Sequence, residues 1–113
     1  GVTFKPNTDD MREASSIPMI NYLNKKGSKI RYYDPSGRKK EFDKLKNVKF
    51  YSSISSACIK SDLIIIHTEW NAFKLLDFKR LVKKKNFKVF DMRNIYSQDK
   101  MRDLKIDYTS IGR

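Results

Sequence analysis

The sequence is short of the residues that build covalent frameworks and metal centres. It has one cysteine, Cys58, and one histidine, His67, in 113 residues. An internal disulfide framework and a multi-cysteine zinc site are therefore excluded, and no metal ligand set is expected. Glycine occurs only at positions 1, 27, 37 and 112, so neither a G-x-G-x-x-G dinucleotide fingerprint nor a P-loop can be written. The longest strictly apolar run, residues 63–66, is far below the ~20 residues that a membrane-spanning helix needs. No basic-then-apolar stretch resembling a secretory leader opens the sequence, and a reducing, cytoplasmic setting is the expectation.

Acidic residues are the other shortage. Thirteen Asp plus Glu stand against 25 Lys plus Arg, for a formal charge of +12 at pH 7. Eighteen of the 25 cations are lysine, and Ile and Asn are also abundant, the skew that AT-rich codons produce whatever a protein does. The excess is concentrated in Arg38-Lys39-Lys40 and Lys83-Lys84-Lys85. Neither cluster is interleaved with regularly spaced aromatics, as a base-stacking surface would be. Solvated lysine faces are the expected reading, and no specific nucleic-acid partner is expected.

Strand and helix signals alternate along the chain. Residues 1–4 read as a short strand end, and residues 5–13 as a polar loop. Ser15 and Ser16 can cap a helix that carries Pro18 in its first turn and Ile17, Ile20 and Leu23 on one stripe, with Gly27 ending it. Residues 29–33 read as a strand, 34–37 as a turn, 48–51 as a short extended segment and 52–60 as a helix. The run Leu63-Ile64-Ile65-Ile66-His67 is the strongest strand signal and predicts a central strand covered on both faces. Residues 71–84 predict one or two helices burying Phe73, Leu76 and Leu81. Residues 87–90 predict a strand, 98–104 a helix and 106–108 an edge strand. Alternation at this spacing predicts a single α/β domain over 1–113, with a mainly parallel sheet and helices on both faces. The opening reads as though it starts part-way through a strand, so the chain is expected to be part of a longer one.

In such a sheet, ligands bind beyond the carboxyl ends of the strands. Three polar segments follow strands directly: 5–12, Thr68-Glu69-Trp70 and Asp91-Met92-Arg93-Asn94. They would bring Lys5 and Arg93 to one crevice, with Arg12 where the first helix begins. Cations beside helix N-terminal amides suit a diphosphate. The same charges equally suit loop capping and pairing with Asp9, Asp10 and Asp91.

Residues 1–13 read Gly-Val-Thr-Phe-Lys-Pro-Asn-Thr-Asp-Asp-Met-Arg-Glu. This stretch resembles the start of the C-terminal domain of the UDP-glucose/GDP-mannose dehydrogenase family, whose pattern there is G-L-x-F-K-P-x-T-D-D-x-R-E-x-P-S. Further resemblances follow in order: Tyr33-Asp34-Pro35, the strand from Asp62 to Ile66, Thr68-Glu69-Trp70 with Phe73, Asp91-Met92-Arg93-Asn94, and the close from Tyr108 to Gly112. Val2 stands where the family usually has Leu, and Ser15 where it commonly has Pro.

The resemblance implies a three-layer Rossmann-like domain that binds the UDP portion of a nucleotide sugar. It implies membership of a larger NAD-dependent enzyme that oxidises the C6 hydroxymethyl of UDP-glucose to a carboxylate with two NAD⁺. That enzyme would have an N-terminal NAD-binding domain and a central domain, and would work as a homodimer. Phe4, Lys5 and Arg93 match family positions that contact the UDP-sugar, and Arg12 matches one on the NAD side of the cleft. Thr68, Glu69 and Trp70 match recurrent positions without an assigned role, with packing expected for Trp70.

The family's catalytic cysteine lies in the N-terminal portion and does not match Cys58, which sits on an apolar stripe with Ile54 and Ala57 and is expected in the core. His67 is expected to be a satisfied core histidine. No catalytic residue is therefore assigned here, and this chain alone is expected to be inactive. The alternatives are a sister dehydrogenase acting on UDP-N-acetylmannosamine or GDP-mannose, and a basic RNA-binding module.

Overall fold

A computed structural model describes residues 1–113. Nine regular elements follow the first loop: α1 (Ser16–Lys25), β1 (Ile30–Tyr32), β2 (Val48–Phe50), α2 (Ile54–Cys58), β3 (Leu63–Ile66), α3 (Phe78–Val82), β4 (Lys88–Asp91), α4 (Gln98–Asp103) and β5 (Asp107–Ser110). Short 3-10 turns at Lys40–Phe42 and Asn71–Phe73 interrupt two connections.

Every strand pair is parallel, as the alternating pattern predicts, but the strands form two sheets. β1 pairs β2, with Ile30 opposite Val48. β3, β4 and β5 pair in chain order, with Ile64 opposite Val89 and Val89 opposite Tyr108. No ladder joins β1 to β3. The core is divided accordingly. One cluster, containing Val2, Ile20, Tyr32, Phe42 and Val48, packs around the first sheet; the other, containing Ile64, Ile66, Phe78, Val82, Val89 and Met101, packs around the second.

Three expectations are corrected by this arrangement. Residues 1–4 are not a strand: they run irregularly, although Val2 and Thr3 are buried. At residues 2 and 3 the backbone bonds to side chains instead of a neighbouring strand. Val2 and Thr3 donate their N–H groups to Asp34 Oδ2 at 2.8 and 3.2 Å, and Thr3 O accepts from Thr68 Oγ1 at 2.8 Å. The strand at residues 63–66 lies at the margin of its sheet rather than at its centre, and Leu63 is 45% exposed. The serines before α1 do not cap it. Ser15 makes no capping bond, and Ser16 Oγ donates to Val2 O at 2.6 Å, fastening the first loop to the helix.

Elsewhere local chemistry acts as expected. Ser53, Asp77 and Ser97 accept from N–H groups of α2, α3 and α4, respectively. Gly37, at φ +99°, closes the turn with its N–H on Asp34 O. Cys58 is buried in the second cluster, and burial pushes its thiol pKa up.

Candidate functional site

Two buried aspartates shape the loops at the carboxyl ends of the strands. Asp34, two residues beyond β1, accepts Ser36 N–H and Oγ–H on Oδ1 and the first loop's amides on Oδ2. Burial alone would raise its carboxyl pKa. The hydrogen bonds from Ser36 and Val2 and the nearby amino terminus overcome that effect and hold it below the usual range. Asp91, the last residue of β4, accepts Arg93 N–H on Oδ1 at 3.0 Å, and Ile95 N–H, Tyr96 N–H and Tyr108 O–H on Oδ2 at 2.8, 3.1 and 2.6 Å. Each carboxylate folds a loop around itself, because buried backbone amides need acceptors. The Asp91 contact and burial together push the Tyr108 phenol up to about 12, burial being the larger cause.

Of the ligand-contacting side chains expected from the sequence, Arg93 is the one these loops bring against another segment. Arg93 Nε donates to His67 O at 2.7 Å and lies 3.5 Å from Glu69 Oε2, while its terminal nitrogen reaches Phe4 O at 3.4 Å. The guanidinium thereby ties the loops after β3 and β4 to the first loop. With five N–H donors, it retains some for a ligand. Phe4 is 45% exposed beside it. Lys5 is exposed, its backbone carbonyl accepts from Thr3 Oγ1 at 3.0 Å, and no carboxylate lies within ion-pair distance of its ammonium.

Arg12 stands apart from these contacts. Its guanidinium grips Asp10 through Nε and Nη2 at 3.0–3.3 Å on the exposed side of the loop. This pair holds the Asp10 carboxyl below its ordinary range. Trp70 is half-buried, and its indole N–H donates to Thr3 Oγ1 at 3.3 Å, which agrees with a packing role.

His67 is buried as expected but is only half-satisfied. Nε2 shares a 2.6 Å hydrogen bond with Ser15 Oγ, and Nδ1 has no partner. Burial, then the Arg93 charge and then the amino terminus push its pKa down to about 4, so the ring is neutral near pH 7. The organising roles of Thr3, Ser15, Asp34 and Asp91 were not assigned from the sequence. The available signal for the two aspartates was an acidic residue immediately after an apolar strand.

A parallel α/β domain of this kind is Rossmann-like, a fold class in which ligands bind beyond the carboxyl ends of the strands. Residues 1–98 match the model of the UDP-glucose/GDP-mannose dehydrogenase family, UDP binding domain, and the chain belongs to that family. It is 38% identical over 116 residues to a UDP-glucose 6-dehydrogenase of Rhizobium meliloti (strain 1021), and 36% identical over 117 residues to UDP-glucose 6-dehydrogenase YwqF of Bacillus subtilis (strain 168). Both alignments cover 100% of this chain and 26% of the relative, so the chain spans about a quarter of the length of the curated proteins it matches.

Among solved structures, an NDP-N-acetyl-D-galactosaminuronic acid dehydrogenase from Methanosarcina mazei Go1 superposes with a TM-score of 0.83 at 23% identity. That alignment covers 100% of this chain and 23% of the other. A UDP-D-ManNAc dehydrogenase from Pyrococcus horikoshii gives 0.76 at 23% identity, with 100% and 24% covered. These two establish the Rossmann-like fold.

Proposed function

We propose that the chain is the UDP-sugar-binding domain of a UDP-glucose 6-dehydrogenase. The observation that carries this reading is that the Arg93 guanidinium reaches Phe4 O at 3.4 Å, across 89 residues, within a chain of this family. Lys5 has no internal anion, and Arg93 is already oriented by His67 O and Phe4 O. A diphosphate bound at Arg93 would meet a guanidinium with little side-chain freedom left to lose. The sugar is read as glucose because the relatives over 30% identical bear that name.

In this reading the domain positions its ligand and performs no chemistry. Holding the diphosphate and nucleoside remotely would present the C6 carbon to a nucleophile on another part of the enzyme, which accelerates reaction by orientation. The residues present do not fit NAD by themselves: no strand-to-helix turn carries closely spaced glycines. Arg12 is the one proposed contact on the NAD side, and it would have to exchange Asp10 for the dinucleotide. NAD is assigned to an N-terminal domain, and the remaining partners are a central domain and a second enzyme subunit. The chain alone is inactive in this reading, and the enzyme is cytoplasmic.

Lys5→Ala and Arg93→Ala in the full-length enzyme test the assignment. Each should weaken UDP-glucose binding by roughly 10–100-fold, the worth of a hydrogen bond to a charged group. Normal KM and kcat in both variants would refute it.

A further inference from the structure

The expectation of a solvated lysine face fails at Lys39. Its neighbours Arg38 and Lys40 are exposed, but Lys39 itself is only 5% exposed. The burial has a local cause. Tyr32 OH accepts Lys39 N–H at 2.8 Å and donates to Lys39 O at 3.4 Å, and Phe42 N–H also bonds to Lys39 O. Tyr32 and Phe42 both belong to the first core cluster, so the Lys39 backbone is pinned against it.

The charge at the end of this side chain is left without an anion. Lys39 Nζ donates to Ser36 Oγ at 2.6 Å, and Ser36 Oγ donates in turn to Asp34 Oδ1 at 2.6 Å. No carboxylate lies within ion-pair distance of the Lys39 ammonium. Asp34 is one hydroxyl away and is already occupied by the N–H groups of Val2, Thr3 and Ser36. An ammonium has three donors, and Ser36 takes one of them. A buried cation with no partner of opposite charge is costly.

Lys39 lines a cavity of about 330 Å³ between the first loop and the turn after β1. At ~30 Å³ per water, that is room for a phosphate group with solvent to spare. Ser36, Arg38 and Lys40 border the cavity too, and Asp9 and Glu41 add carboxylates. Both acids belong to exposed residues and make no ion pair, so water screens them. Arg38 lies 3.5 Å from Asp43, an exposed contact that is easily exchanged. The desolvated Lys39 therefore sets the preference of the cavity.

We propose that this cavity is an anion site that takes one phosphate group. Lys39, held by Ser36, is its fixed donor, and the exposed Arg38 and Lys40 close on the remaining oxygens. A phosphate offers enough acceptors to meet three cations at once, which a carboxylate does not. The two acids at the border disfavour a polyanion and suit a single phosphate. None of these residues has a part in the nucleotide-sugar assignment.

The test follows hydrogen exchange of residues 34–42 in the full-length enzyme, with inorganic phosphate against chloride at equal ionic strength. Phosphate at roughly ten times its Kd should slow exchange about 10-fold, in the parent and equally in Arg93→Ala. Lys39→Met should abolish the effect and leave Tm unchanged or higher, because it removes a buried charge that lacks an anion. Arg38→Ala combined with Lys40→Ala, both at exposed positions, should weaken phosphate roughly 10–100-fold. Glycerol 2-phosphate as a second probe separates the sources: tighter binding than inorganic phosphate assigns the site to a phosphate ester, weaker binding to the free anion. Equal exchange in phosphate and chloride would overturn the proposal, as would protection that survives Lys39→Met. Should Lys39→Met fail to fold, undiminished protection in the double variant overturns it instead. Protection that disappears in Arg93→Ala would place the phosphate at the nucleotide-sugar site and overturn it too.

Discussion

Asp34 and His67 show how single polar side chains hold the first loop. Asp34 accepts from four donors on its two oxygens, and two of them belong to residues 2 and 3. Removing its acceptors leaves buried amides unpaired, so Asp34→Ala should destabilise the fold by about 2–4 kcal/mol, read by urea unfolding. His67 carries a sign that can be checked. Its folded pKa of about 4 lies below the ordinary 6.5, so the unfolded chain binds the extra proton between those values. Stability should therefore fall as pH drops from about 6.5 to about 4, with no further loss from this group below that. Asp34, with its lowered pKa, also loses stability on acidification, toward and below the usual carboxylate range. His67→Gln separates the two by flattening only the upper window in a Tm-against-pH series. The pairing of Arg12 with Asp10 belongs to this scale as well: two residues apart in a loop, the charges meet only because of the local turn, which no periodicity announces.

At the scale of elements, β4 illustrates how a strand and its following loop act together. Val89 is buried in the second core cluster, and Asp91 closes the strand and gathers the Arg93 backbone, the amides of Ile95 and Tyr96, and the Tyr108 hydroxyl from β5. Tyr108→Phe should cost about 1 kcal/mol while leaving Arg93 anchored, whereas Asp91→Ala should loosen the Arg93 loop and weaken ligand binding as well as stability. Calorimetry with UDP beside thermal unfolding distinguishes these outcomes. Elements with an internal signal were legible from the sequence. The Leu63–Ile66 run announced β3, the stripe of Ile54, Ala57 and Cys58 announced α2, and Gly37 closed the turn after β1. Residues 1–4 were apolar enough to read as a strand, but strand structure needs a paired neighbour, and here Asp34 and Thr68 side chains take that place.

For the whole molecule, the formal charge of +12 is less informative than its placement. Lys84 pairs with Asp62 and Arg38 with Asp43, both on the surface, where such pairs contribute little. Arg93 instead sits where the first loop meets the loops after β3 and β4, and Lys5 is exposed in that first loop. No helix is long and apolar enough to cross a membrane. The sequence singled out its candidate site residues through their loop positions and the family resemblance. It could not show that Arg93 is oriented by two backbone carbonyls, because those contacts join segments 26 and 89 residues apart.

The most direct measurement is isothermal titration of UDP into the chain carrying Lys5 and Arg93 and into its Arg93→Ala variant, with a structured RNA as control. UDP should bind the former and lose roughly 10–100-fold in affinity in the variant, with RNA giving no specific signal. Equal affinity in both, or RNA binding with steep salt dependence and no preference for UDP, would contradict the assignment.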